Sequence, residues 1–225
     1  MSIVGPQVES QLRSRFAGSL DANVVITVYV RSQASSRLVL VSGASASGTS
    51  NATRELAEAL VGAADGKVRL DVVEVPLGEA GEDLPRMTIA REGEAPRIEF
   101  RGLPSGYEFA TLVDAVERAS SGHQLSAESS AKLAALDGDV EVMVFVTPTC
   151  QYCPSAASVA NRMAVASDRV RAVTVEANEF PVLSSRFGVQ GVPMTVVNGE
   201  ASFVGALPER SFVERVLELA APAAD

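Results

Sequence analysis

The strongest constraint on this 225-residue chain is that its sequence is written twice. Phe100, Gly102, Phe109 and Val113 recur as Phe203, Gly205, Phe212 and Val216, each pair 103 positions apart. Leu84-Pro85-Arg86-Met87-Thr88-Ile89 echoes Val192-Pro193-Met194-Thr195-Val196, and Val68-Arg69 echoes Val170-Arg171 at an offset of 102. The order of the echoes is preserved, which marks a duplicated domain rather than scattered similarity. A copy of roughly 100 residues suffices for one small core. The polar stretch Ser120-Ser121-Gly122-His123-Gln124 lies between two helical runs and suits the joint. The expected units are therefore residues 1–121 and 122–225.

Each copy reads as a mixture of helices and strands. In the second, 126–136 suits a helix with Ser126 as N-cap, and 154–166 and 208–220 suit two more. The β-branched runs 140–146 and 170–175 read as strands, and 180–187 as a short helix. Asn198-Gly199 joins strands 194–197 and 201–204 in a hairpin. The early strand–helix–strand unit implies a parallel pair and the hairpin an antiparallel one. The expected class is α/β, with a mixed central sheet flanked by helices. The first copy follows with helices at 6–20, 51–63 and 105–119 and strands at 37–41, 68–75, 86–90 and 97–101. A further strand, 24–30, has no counterpart at the repeat offset. It is expected to form a hairpin with 37–41.

Charge and composition remove several function classes. Lys+Arg total 19 against 28 Asp+Glu, a net charge of -9, so an acidic surface opposes nucleic-acid binding. No apolar run approaches the roughly 20 residues of a membrane helix. Met1 to Gln7 carry neither a basic nor an apolar leader segment, so no signal peptide and a cytoplasmic location are expected. Two cysteines are too few for a disulfide-stapled secreted fold.

Both cysteines fall in Thr149-Cys150-Gln151-Tyr152-Cys153-Pro154, between a strand and a helix. Free N–H groups and the dipole at a helix start stabilise a thiolate there. Cys150, at the mouth, is the expected nucleophile, and Cys153, one turn deeper, can close a short disulfide with it. Pro154 fits the first turn, where a missing N–H costs nothing. No Lys or Arg occurs between Val140 and Asn161, so local donors must carry the charge. Other uses of two cysteines remain. Zinc needs four ligands, and the chain adds only His123. A structural bridge over so short a loop constrains the unfolded chain little. An iron–sulfur cluster shared between two chains is the remaining metal alternative. Downstream, Pro193 opens a strand in Gly191-Val192-Pro193-Met194-Thr195.

Strand, C-x-x-C helix, strand, helix, Val-Pro-Met-Thr, Asn-Gly hairpin and helix together resemble the thioredoxin/glutaredoxin fold. The tandem layout resembles protein disulfide oxidoreductases with two thioredoxin-like units. It is most similar to the N-terminal module of the flavoprotein subunit of alkyl hydroperoxide reductase. Phe100-Arg101-Gly102-Leu103-Pro104-Ser105-Gly106-Tyr107-Glu108-Phe109, Leu136-Asp137-Gly138-Asp139, the C-x-x-C and Gly191-Val192-Pro193 carry that resemblance. It implies a cis Val192–Pro193 bond beside the thiols. It also implies substrate contacts from Thr149, Gln151, Tyr152 and Val192. The redox element is then the Cys150–Cys153 disulfide, with no bound cofactor and no metal. There are departures: Gln151-Tyr152 is neither Gly-Pro nor Pro-Tyr, and Thr149 stands where thioredoxins carry an aromatic residue.

At the repeat offset Cys150 and Cys153 fall on Ser47 or Gly48 and on Ser50 or Asn51, so the first copy has no thiol. Glu108 has two readings. Ser105-x-x-Glu108 is a capping-box pattern. The resemblance instead implies a proton acceptor for the other copy's dithiol, as a buried carboxylate can be. No G-x-G-x-x-G follows a strand, so electrons are expected from a separate flavin-dependent, thioredoxin-reductase-like enzyme. The expected acceptor is a peroxiredoxin or another protein disulfide. The alternatives are a glutathione-linked glutaredoxin, an iron–sulfur or metal carrier, and a scaffold with an idle dithiol.

Overall fold

A computed structural model describes residues 4–32, 45–76 and 83–221. The first copy contributes α1 (Pro6–Ser19), β1 (Val24–Arg31), α2 (Ser45–Ala63), β2 (Val68–Val75), β3 (Arg86–Arg91), β4 (Ile98–Arg101) and α3 (Glu108–Ser121). The second contributes α4 (Ala127–Ala134), β5 (Val140–Val146), α5 (Cys153–Ala166), β6 (Val170–Glu176), α6 (Pro181–Arg186), β7 (Met194–Val197), β8 (Ala201–Val204) and α7 (Glu209–Ala220).

The strands form one eight-stranded sheet in the order β2-β1-β3-β4-β6-β5-β7-β8. Within each copy the inner strand pairs in parallel with one neighbour and antiparallel with the other. Thus β1 lies between β2 and β3, and β5 between β6 and β7. Both copies close on an antiparallel pair, β3–β4 and β7–β8. The seam is a parallel pairing of β4 with β6, from Ile98 opposite Ala172 to Arg101 opposite Val175. The Arg171 guanidinium crosses it to Glu99 at 2.6 Å.

One expectation is corrected by this order. Residues 24–30 are not a supernumerary strand: β1 occupies in the first copy the place of β5 in the second. Val24 and Val140 are 116 positions apart, whereas Val68 and Val170 are 102 apart. The first copy carries extra chain between β1 and the C-terminal turns of α2, so a constant offset slides past the match. The proposed partner strand 37–41 lies outside the described residues.

Period-two alternation sets the two faces of the sheet. Val142 and Val144 join a core that runs through both copies and includes Phe16, Leu60, Leu112, Met163 and Phe212. Met143 and Phe145 point to the opposite face, where Phe180 and Met194 close a smaller cluster. Burying one such phenylalanine contributes about 2 kcal/mol. Ser126 caps α4 as the sequence predicts, its hydroxyl accepting the Ser129 N–H. No helix among the described residues is long and apolar enough to cross a membrane.

Candidate active site

Strand β5 ends at Val146, and the chain turns through Thr147-Pro148-Thr149 before α5 begins at Cys153. The Cys150 N–H donates to the Thr147 carbonyl at 3.1 Å, which tightens that turn. Cys150 and Cys153 are joined by a disulfide with their Cα atoms 5.5 Å apart. Cys150 is half-buried, and Cys153 is fully buried in the core. The first helical amide, Cys153 N–H, donates to Cys150 Sγ at 3.1 Å. The same N–H also reaches the Cys150 carbonyl at 3.4 Å, so this helix-start donor is shared between that oxygen and the sulfur that would carry negative charge after reduction.

On the other side, Cys150 Sγ lies 3.7 Å from the carbonyl oxygen of Val192. The Val192–Pro193 bond is cis, and so is Leu84–Pro85, its echo in the first copy. Pro193 is buried and Val192 half-buried, while Thr149, Gln151 and Tyr152 are exposed around Cys150. The structure thus brings the residues singled out in the second copy into one neighbourhood.

The first copy roofs this site. Gly106 has φ +59°, and a Cβ there would meet the Pro148 carbonyl oxygen at 2.2 Å. The Tyr107 N–H donates to that same oxygen at 3.0 Å. Gly102, with φ +90°, approaches so closely that its Cβ would lie 2.9 Å from the Glu176 Cβ. The Leu103 N–H donates to Glu179 Oε1 at 2.8 Å and fixes the loop there.

Glu108 sits beneath this roof, 2% exposed, and neither carboxylate oxygen has a hydrogen-bond partner. It does not cap α3. Ser105 N–H bonds the Leu103 carbonyl instead, and the helix has no side-chain cap. Burial raises the Glu108 carboxyl to about 7, with the Thr111 hydroxyl pulling weakly the other way without ordinary bond geometry. Glu108, Glu176 and Pro148 line a common cavity of about 10 Å³, room for about one water. Burial also pushes Glu176 up, against bonds from Glu179 and Asn178. His123 accepts the Leu125 N–H through Nδ1, within the linker. Among the described residues no three His, Cys, Asp or Glu side chains gather to hold a metal ion.

The thioredoxin-domain family model matches residues 140–218, which span the C-x-x-C, the cis-proline and the hairpin. This stretch is a thioredoxin domain. Its disulfide, at the start of a helix with one sulfur approachable and one buried, is built for thiol–disulfide exchange. Among curated proteins, the chain is 31% identical to the AhpF component of alkyl hydroperoxide reductase from Pseudomonas putida over 118 residues. That alignment covers 52% of this chain and 22% of that protein. The corresponding protein of Staphylococcus aureus (strain MRSA252) is 28% identical over 154 residues, 68% of this chain and 29% of that protein. The chain therefore spans less than a third of the length of these relatives. Two solved structures share the fold over nearly the whole chain. The NTD_N/C domain of alkylhydroperoxide reductase AhpF from Enterococcus faecalis gives a TM-score of 0.79 at 22% identity. It covers 95% of this chain and 99% of that one. A protein disulfide oxidoreductase from Aeropyrum pernix k1 gives 0.78 at 23% identity, covering 96% and 93%. The tandem thioredoxin-like architecture thus extends to the first copy, the one without thiols.

The contacts that sequence reasoning missed are those between the copies. Gly106 and Gly102 are needed where the roof touches the thioredoxin domain, and Glu176 and Glu179 receive it. Their only signal in the sequence was two glycines flanking an otherwise ordinary loop.

Proposed function

We propose that the chain passes two electrons from a separate flavin-dependent disulfide reductase to a partner disulfide, with a peroxiredoxin as the first candidate. Residues 122–225 are the redox unit and residues 1–121 the unit without a thiol. The observation that carries this reading is the Cys150–Cys153 disulfide, with Cys150 at the mouth of α5 and Cys153 enclosed. The naming of the curated relatives as alkyl hydroperoxide reductase components supports a peroxide-linked partner.

In the reduced chain the Cys150 thiolate attacks one sulfur of the partner disulfide. That S–S bond breaks, a mixed disulfide forms, and the first partner sulfur leaves as a thiolate that takes up a proton. Cys153 then loses its proton and attacks the Cys150 sulfur. The mixed disulfide breaks and the second partner thiol is released. The chain is left with its internal disulfide, having delivered two electrons; of the two protons the partner thiols gain, one balances the Cys153 proton and the other comes from solvent. The external reductase restores the dithiol by the reverse exchange. Glu108 is the proposed acceptor of the Cys153 proton, a role for which a carboxyl near 7 is suited. Pro193 and Val192 wall the thiols, and Thr149, Gln151 and Tyr152 face the incoming partner. The cycle needs no bound cofactor and belongs in a reducing cytoplasm.

The test is a pair of substitutions. Cys150→Ser should abolish turnover of insulin and of an oxidised two-cysteine peroxiredoxin. Cys153→Ser should stop at the mixed disulfide, visible as a covalent complex on a non-reducing gel. Full reduction of either substrate by Cys150→Ser would remove the proposal.

A further inference from the structure

All eleven aromatic side chains of this chain, eight Phe and three Tyr, lie within the described residues. Nine are buried or half-buried. The two exceptions are Tyr107, 52% exposed, and Tyr152, 64% exposed. Both belong to segments that meet at the active-site loop, and they come from different copies. Tyr152 lies between the cysteines themselves. Tyr107 belongs to the copy that has no thiol, yet its N–H is bonded to Pro148, two residues before Cys150. The close approach of Gly106 to the same carbonyl presses this lip against the active-site loop.

The exposed residues that flank Cys150 along the chain, Thr149 and Gln151, carry no charge, and neither does exposed Gly191, next to the Val192 carbonyl that lies 3.7 Å from Cys150 Sγ. Tyrosine rings left in water beside a reactive atom are what binding contacts are made of. They bring large rigid area at small entropic cost and keep a polar end for solvent. Uncharged residues next to the reactive sulfur, together with two exposed tyrosines on the segments that meet there, suit an uncharged, apolar polypeptide segment. A small disulfide reaching Cys150 alone has no need of the lip.

We infer that Tyr107 is a specificity-determining residue, holding the polypeptide that carries the target disulfide across both copies. The inference rests on the thiol–disulfide exchange reading and deepens it. The first copy, on this view, is half of the substrate-binding surface.

The test uses the full chain, reduced and freed of reductant. It is mixed with insulin or with hydroxyethyl disulfide, and the second-order rate constants are read from the loss of the chain's own Cys150 and Cys153 thiols, by acid quench, alkylation and the mass of the chain. Tyr107→Ala should lower the insulin-to-small-disulfide ratio of rate constants about fivefold or more, the effect of truncating a central contact aromatic. Tyr107→Phe should keep the ratio near wild type, because the ring rather than the hydroxyl makes the contact. A ratio unchanged in Tyr107→Ala, or lost equally in Tyr107→Phe, overturns the inference and leaves the exchange activity standing. A wild-type chain that consumes neither disulfide overturns both.

Discussion

Burial of Glu108 without a hydrogen-bond partner gives this one carboxyl a titration unlike that of a surface acid. Its value of about 7 lies above the ordinary 4.5, so the folded state binds the proton more tightly than the unfolded state. The stability this contributes is complete below pH 4.5 and is lost as pH rises to about 7. A shift of that size corresponds to about 3 kcal/mol. Glu176, raised for the same reason, adds in the same direction. Glu117 and Glu209 are lowered, by Arg15 and by Ser126 respectively, against their own burial, so their stabilisation is lost below pH 4.5, in a separate window. Urea denaturation of Glu108→Gln between about pH 4.5 and 7.5 should show a markedly flatter decline than wild type. An identical slope in the two proteins would place Glu108 in solvent. The cysteines were legible because both thiols of the chain fall within four residues at a strand–helix junction. Glu108 was not, because Ser-x-x-Glu looks the same whether the acid turns back to a backbone N–H or inward under a loop.

The loop from Gly102 to Tyr107, leading into α3, carries the connection between the two copies, and its glycines separate two physical requirements. Gly106 needs both a positive φ and empty space, since a Cβ would collide with backbone. Gly122, at the end of α3, has φ +100° but nothing within 4 Å. Gly122, with ψ 168° as well, sits in a region adopted almost solely by glycine, so Gly122→Ala should cost the conformational strain alone, about 2 kcal/mol. Gly106→Ala should cost more, about 3 kcal/mol or above, because strain is joined by lifting the lip off Pro148. Urea midpoints of the two variants make the comparison, and equal losses would mean that the loop contact is unimportant. Elements of the second copy were legible nearly to the residue. Alternating β-branched runs, the Ser126 cap and the Asn198-Gly199 turn each mark their own boundary locally. The place of β1 was not legible, because matching by a fixed offset fails where one copy holds extra chain.

At the scale of the molecule, the two copies share one sheet and one principal core, and α3 packs alongside α5. Unfolding should accordingly be a single cooperative transition, with far-ultraviolet circular dichroism and tyrosine fluorescence coincident in urea. Two separated midpoints would show copies that fold independently. The pairing of β4 with β6 could not be read beforehand: period-two patterning reveals which face of a strand is buried, not which strand lies beside it. The duplication was legible, and so was the absence of a thiol from its first half. Contact between Gly106 and Pro148 gives that thiol-free half a hereditary stake in the chemistry. Alleles that silence electron transfer need not map to the cysteine-bearing stretch of this duplicated sequence, since a lesion in its inert twin can blunt the same phenotype from across the seam.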